Sequence, residues 1–333
     1  MASLSNVPFR VRRFAIPEFR FHTGERMDGL LMNCTTLGDP AGEPVLLLHG
    51  TGGSAQSILA PSFAGVLFGR GQPLDASRYF IVAPDSLGHG ESAKPSDGLR
   101  GGFPRYNYED MVDAQYRLVR EGLGIRHLRL VMGNSMGGMH AWLWGVKFPG
   151  EMDALVPMAC EPVAMGGRNW ILRRLIGESI RNDPDYAAGF YSRQPRAAKM
   201  ASLFFAFATN GGDLAMHHSV RTRAAADALP DKQLAAEFAA DANDLLYQWE
   251  SSGDFDPSAR LESITAQVFA INAGDDERNP PETGVMEQSM RRVKHGRYML
   301  IPASMQTAGH GTTWSAKWYL TELARLLKEA PRL

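Results

Sequence analysis

The chain has 333 residues, 44% of them hydrophobic and 21% charged, with a formal net charge of −1. That balance is ordinary for a globular protein. Without a Lys/Arg run or a basic-aromatic stripe, it argues against nucleic acid or an anionic membrane surface as the partner.

No stretch approaches the roughly 18 consecutive apolar residues of a membrane-spanning helix. The length strains a single core, so a large domain carrying an insertion is expected. Cys34 and Cys160 lie far apart in apolar runs and are expected to be buried, inert thiols rather than a disulfide framework. Met1 to Arg13 contains no apolar segment followed by a small-residue cleavage site, which makes the cytoplasm the expectation. An exported form with its leader removed would carry the same sequence.

In chain order, Ala15 to His22 and Leu30 to Leu37 are extended runs around a glycine-containing turn, the pattern of an antiparallel hairpin at a sheet edge. Val45-Leu46-Leu47-Leu48 is a short strand of the kind buried on both faces, and it ends in His49-Gly50-Thr51-Gly52-Gly53. Glycines after a buried strand let the backbone approach a ligand with unpaired N–H groups. Phe80 to Ala83 repeats the strand pattern and runs into Pro84-Asp85-Ser86-Leu87-Gly88-His89-Gly90-Glu91-Ser92. Tyr108 to Glu121 has the apolar spacing of an amphipathic helix.

The strand His127 to Met132 leads into Gly133-Asn134-Ser135-Met136-Gly137-Gly138, and Met139 to Val146 reads as a helix. This strand-turn-helix has a serine at its apex, flanked by the small residues that so sharp a bend requires. Ala154 to Ala159 adds a further strand. Residues 161 to 258 then break the alternation with helical stretches at Trp170 to Arg181, Ala197 to Thr209, Leu214 to Ala228 and Asp231 to Glu250. They are expected to form a lid inserted in a core of residues 1–160 and 259–333. Phe204, Phe205 and Phe207 are candidates to line an apolar substrate pocket, and the lid helices are candidates for a homodimer surface.

After the insertion, Val268 to Ile271 resumes the strands and ends in Asn272-Ala273-Gly274-Asp275-Asp276-Glu277. A helix is expected around Pro281 to Arg292, a strand at Tyr298 to Ile301, a loop with Gly309-His310-Gly311, and a final amphipathic helix from Ser315 to Lys328. Alternating strands and helices predict an α/β protein with a doubly wound, mostly parallel sheet. Ligands bind such sheets outside the C-terminal ends of the strands.

A serine hydroxyl needs a base within hydrogen-bond reach and a third group that fixes the base. In this topology the order is serine, acid, histidine, each in a loop after a strand. His310 follows its strand, whereas His295 precedes it, so His310 is the expected base. The loop after Ile271 offers Asp275, Asp276 and Glu277, from which we select Asp276, with Asp275 as the alternative. The N–H groups of Met136 and Thr51 are the expected oxyanion donors. Trp314, close after His310, joins the candidate substrate-binding residues. His49, His89 and His140 are read as structural.

Together these residues resemble the α/β-hydrolase fold, and Gly133-Asn134-Ser135-Met136-Gly137-Gly138-Met139 is similar to the elbow of the branch that includes homoserine O-acetyltransferase. The resemblance implies acyl chemistry without cofactor or metal, through an acyl enzyme on Ser135. The spacing of Asp276 to Pro280 is similar to that of the acid and a proline in relatives. That branch usually carries Asp after the catalytic histidine and Gln after the elbow, where this chain has Gly311 and His140; the loop from Asp85 to Ser92 looks instead like that of general ester hydrolases.

The leading expectation is hydrolysis of a carboxylic ester, or an amide, of a small to medium, partly apolar substrate. Acyl transfer from an acyl-CoA to an alcohol is the alternative. A ligand receptor on a hydrolase scaffold with vestigial activity is the third.

Overall fold

The apolar quartets become the centre of one eight-stranded sheet. In the computed structural model, which describes residues 9–332, the strands are β1 (Phe9–Arg20), β2 (Arg26–Leu37), β3 (Glu43–Leu48), β4 (Tyr79–Pro84), β5 (Leu130–Asn134), β6 (Ala154–Met158), β7 (Gln267–Ala273) and β8 (Gly296–Ile301). The reading of Met1 to Arg13 as free of a leader lies largely outside the described residues.

The spatial order is β1-β2-β4-β3-β5-β6-β7-β8. β1 and β2 form the expected antiparallel hairpin at the edge, and β2 joins β4 antiparallel. Every pair from β4 to β8 is parallel.

Burial on both faces explains why the central strands read as unbroken apolar runs. Along β3, Leu46 and Leu48 pack with Val131, Trp142 and Trp144 on one side of the sheet. Val45 and Leu47 pack with Leu130, Met132, Leu323 and Leu326 on the other. The first side is covered by helix Met136–Lys147 and the second by helix Leu320–Glu329, whose buried Leu323, Leu326 and Leu327 recur at helical spacing. Each leucine so buried contributes about 1.5–3 kcal/mol relative to exposure. The two covers fix the sheet, and with it the positions of the loops at the strands' C-terminal ends.

Between β6 and β7 the chain forms helices Gly167–Arg181, Ala197–Thr209, Asp213–Ser219, Arg223–Ala235 and Ala242–Glu250, and no strand among the described residues. The gap expected between the stretches ending at Ala228 and starting at Asp231 is not there: Pro230 lies inside helix Arg223–Ala235. That helix has no buried residue, so the carbonyl deprived of its N–H partner can be solvated. The real starts are set by side-chain caps. Thr222 accepts from the N–H of Ala225, and Asp241 accepts from those of Asn243 and Asp244.

The insertion has its own core of Ile176, Ile180, Tyr186, Tyr191, Ala198, Phe205, Ala242 and Leu246. It is tied to the sheet domain by Asp244, which accepts from Ser96 N and Oγ at 2.9 and 2.7 Å. Tyr247 Oη donates to Phe103 O at 2.6 Å, and Gln248 Nε2 donates to Gly88 O at 2.8 Å. Among the described residues, no helix is long and apolar enough to cross a membrane.

Candidate active site

β5 ends at Asn134 and helix Met136–Lys147 starts at once, which leaves Ser135 alone to make the turn. Its φ is +56° and ψ −116°, a region that costs a non-glycine residue about 1–3 kcal/mol and persists only where the surroundings over-determine it. Here they do: Ser135 N donates to Met158 O at 2.8 Å, and Met139 N to Ser135 O at 2.9 Å. The glycines are steric necessities. A Cβ at Gly133 would lie 2.1 Å from Gly137 O, and one at Gly137 would lie 2.2 Å from Leu48 O.

Ser135 Oγ lies 2.8 Å from His310 Nε2. On the other side of the ring, Nδ1 lies 2.9 Å from Asp276 Oδ2 and 3.1 Å from Oδ1. Ser135 comes from the end of β5, Asp276 from the loop after β7 and His310 from the turn Gly309–Trp314 after β8. Asp276 accepts further bonds from Arg278 N at 2.8 Å and Asn279 Nδ2 at 2.9 Å. Burial pushes its carboxyl up, but His310 and these donors outweigh that and hold it below the usual carboxylate range.

Asp275 points elsewhere, accepting from Thr307 Oγ1 at 2.7 Å. His295 is exposed beside the start of β8. The arrangement can take the hydroxyl proton of Ser135 onto Nε2 while the carboxylate holds the Nδ1–H tautomer.

The N–H groups of Met136 and Thr51 have no protein acceptor among the described residues. Gly50 brings the loop against the serine, since a Cβ there would sit 3.6 Å from Ser135 Cβ. The Thr51 hydroxyl is buried without a partner among the described residues.

Beneath this loop the three histidines are buried and bonded. His49 Nδ1 lies 2.8 Å from Gly50 O, and its Nε2 accepts from Ser86 N at 3.0 Å. His89 Nε2 lies 2.9 Å from Thr51 O. Gln115 donates to His140 Nδ1 at 3.0 Å. Burial lowers all three, His89 to about 3, so they are neutral supports of the loop and elbow.

The three phenylalanines of the insertion are not gathered into one pocket. Phe204 and Phe207 are 67% and 43% exposed. Phe205 is buried in the core of the insertion, against Trp249 and under the guanidinium of Arg278. Helical spacing set these rings on adjacent faces, and only one of those faces packs inward. Trp314 packs edge-on against Phe63 and approaches Gly50, so it buttresses the loop that follows β3.

Three charged residues were missed. Arg173 is 2% exposed; it donates to Asn169 Oδ1 and Ser252 Oγ, both at 3.1 Å, and pairs with no carboxylate among the described residues. Arg278 donates to Thr209 Oγ1 at 3.0 Å and likewise lacks an ion pair, with its pKa pushed down to about 10 by burial and then by the charge of Arg173. Glu161, half-buried, is pushed up to about 7 by burial and then by Asp276. It lines a cavity of about 370 Å³ with Met139, Arg168, Arg278 and Thr283. Helix Gly167–Arg181 carries Arg168, Arg173, Arg174 and Arg181, but nothing in the sequence marks Arg173 as the buried one.

The charges of Arg278 and Arg173 reach His310. Its pKa is lowered first by burial and then by these cations, against the raising effect of Asp276. A base with a lowered pKa is neutral, and therefore competent, further into acid. On a neutral ester, the acid limb of kcat/KM, which reports the free enzyme, is expected below the ordinary imidazole value of about 6.5. Arg278→Met removes a charge that disfavours imidazolium and should move that limb upward. A limb that stays in place, or moves down, would show that the cation does not act on the base.

A family model described as alpha/beta hydrolase fold matches residues 43–304. A probable acyltransferase of Methanothermobacter thermautotrophicus is 30% identical over 278 residues, which cover 81% of this chain and 83% of that protein. A homoserine O-acetyltransferase of Rhodopseudomonas palustris is 30% identical over 229 residues, 61% of this chain and 57% of the relative, so the chain spans little more than half of that enzyme. Among solved structures, homoserine O-acetyltransferase from Bacillus anthracis superimposes with a TM-score of 0.84 at 18% identity, covering 98% of this chain and 99% of that one. Esterase E22 gives 0.83 at 18% identity, covering 96% and 100%. At such identities the likeness shows the fold.

Proposed function

The chain belongs to the α/β-hydrolase family, and within it we propose an enzyme that cleaves carboxylic esters bearing an anionic group, through an acyl-Ser135 intermediate. The observation that carries this reading is the continuous bonding from Ser135 Oγ through His310 to Asp276, at 2.8 and 2.9 Å. Ser135 is the nucleophile, His310 the base and then the acid for the leaving alcohol, and Asp276 the group that orients the ring and stabilises its cation. Met136 and Thr51 N–H groups bind the developing oxyanion. The insertion of residues 161–258 acts as a lid over this centre.

The anionic group follows from electrostatics. A buried charge is ordinarily paired, because leaving it alone costs several kcal/mol. Among the described residues, Arg173, which is buried, and Arg278, which is half-buried, have no carboxylate partner, and both act on His310. A carboxylate or phosphate on the bound substrate would supply the missing partner. This replaces the apolar preference that the lid phenylalanines suggested.

Acyl transfer to an alcohol is the second reading, favoured by the names of the curated relatives. Hydrolysis leads because Gly311 places no carboxylate directly after His310 to receive an ammonium-bearing acceptor. The test pairs an activated dicarboxylate half-ester with its neutral isostere, each with and without millimolar homoserine. Free acid should dominate throughout. Arg173→Met should lower kcat/KM for the half-ester roughly 10- to 100-fold, while the neutral ester changes little. Dominant O-acylhomoserine would make the enzyme a transferase, and equal losses on both esters would refute the anionic subsite.

A further inference from the structure

Where helix Ala197–Thr209 ends, Asn210-Gly211-Gly212 turns the chain into helix Asp213–Ser219, and this turn is wedged between the two loops that carry the acid and the base. Its bonds fall on the peptide units that enter those residues. His310 N, in the peptide leading into the base, donates to Asn210 O at 2.6 Å. Gly212 N donates at 3.1 Å to Asp275 O, in the peptide leading into Asp276. Asn210 Nδ2 donates to Ala308 O at 3.0 Å, two residues before His310. Thr307 Oγ1, bonded to Asp275 Oδ2 at 2.7 Å, ties the two loops directly.

The fit leaves no room for side chains. A Cβ on Gly211 would lie 1.9 Å from Asp275 O, and one on Gly309 would lie 2.0 Å from Asn210 O. All three glycines of the junction have φ between +55° and +79°. These conformations are unfavourable for other residues.

We propose that this turn is a positioning element of the base and the acid, with Asn210 its principal side chain. The insertion then holds the centre in register as well as covering it. The inference rests on the reading of Ser135, His310 and Asp276 as a triad. His310 and Asp276 sit on separate loops after β8 and β7, and a misplacement of about 1 Å between reacting groups costs on the order of 10²-fold in rate. A brace that bonds both loops removes that freedom. It also couples any displacement of the insertion to the Nδ1–carboxylate contact.

The test compares the full-length parent with Asn210→Ala, Gly211→Ala and Gly124→Ala. Gly124, with φ +70° and open space around it, controls for left-handed strain without a clash. Thermal unfolding, kcat and KM on a neutral ester, the pH profile of kcat/KM and the rate of fluorophosphonate labelling at Ser135 are measured for each. Asn210→Ala is expected to lower kcat and labelling roughly 10-fold, with KM within about twofold and the acid limb displaced. Gly211→Ala should lose about 10²-fold, and Gly124→Ala should match the parent.

A parent-like kcat and labelling rate in Asn210→Ala would overturn the inference, as would a loss confined to KM or an equal loss in Gly124→Ala. Should Gly211→Ala fail to fold, Asn210→Ala decides. If the parent is not labelled at Ser135 at all, the triad reading falls first and this inference with it.

Discussion

Ser135→Ala is expected to keep the fold and lower kcat by roughly 10⁴- to 10⁶-fold. The substitution removes one oxygen, whose protein partner is His310 Nε2 at 2.8 Å, and leaves the backbone bonds of the turn untouched. Alanine at φ +56° meets about the same strain as serine, so the elbow has no new reason to relax. What vanishes is the atom proposed to receive the acyl group from a substrate whose oxyanion would face the N–H groups of Met136 and Thr51. Intact-mass detection of a fluorophosphonate adduct on the parent and none on the variant is the matching observation. An adduct on another serine would relocate the nucleophile.

Asp276→Asn is expected to cost up to about 10⁴-fold in kcat, and Asp275→Asn only a few-fold. A carboxylate accepts from Nδ1–H and leaves Nε2 free to take the serine proton. An amide can present its NH₂ to Nδ1 instead, which puts the ring proton on Nε2 and removes the base. The bond from Arg278 N to Oδ1 can still anchor the asparagine, while an NH₂ in the Oδ2 position cannot accept from Asn279 Nδ2, so that bond is lost together with the base. Asp275 bonds Thr307, and its carbonyl, not its side chain, meets the insertion. The reverse ranking of the two variants would move the acid by one residue.

Much of this was legible in the residues. Short apolar runs bounded by glycine and proline mark strands buried on both faces, because no alternation survives when both sides are covered. The elbow announces itself through glycines that only a sharp bend demands. Chain order, with each partner in the loop after a strand, then narrows nine histidines to His310. Helix ends in the insertion were less legible, since Pro230 is tolerated on a helix with no buried residue while Thr222 and Asp241 set the starts by capping.

By itself, then, the sequence determined the sheet, the elbow and the loop in which each member of the site must lie, since these depend on local periodicity and on steric demands within a few residues. Only the tertiary structure decided the rest. Adjacent residues of one loop point in different directions, so the choice between Asp275 and Asp276 depends on where the loop after β8 passes. A helical stripe declares that a face is apolar but not what it faces, which is how Phe205 is buried beneath Arg278 while Phe204 and Phe207 meet solvent. Arg173, buried with no carboxylate partner among the described residues, looks in the sequence like any other arginine of the chain. The brace at Asn210 joins residues about a hundred positions apart through backbone atoms that every residue possesses, and therefore leaves no mark except glycines where a Cβ would not fit.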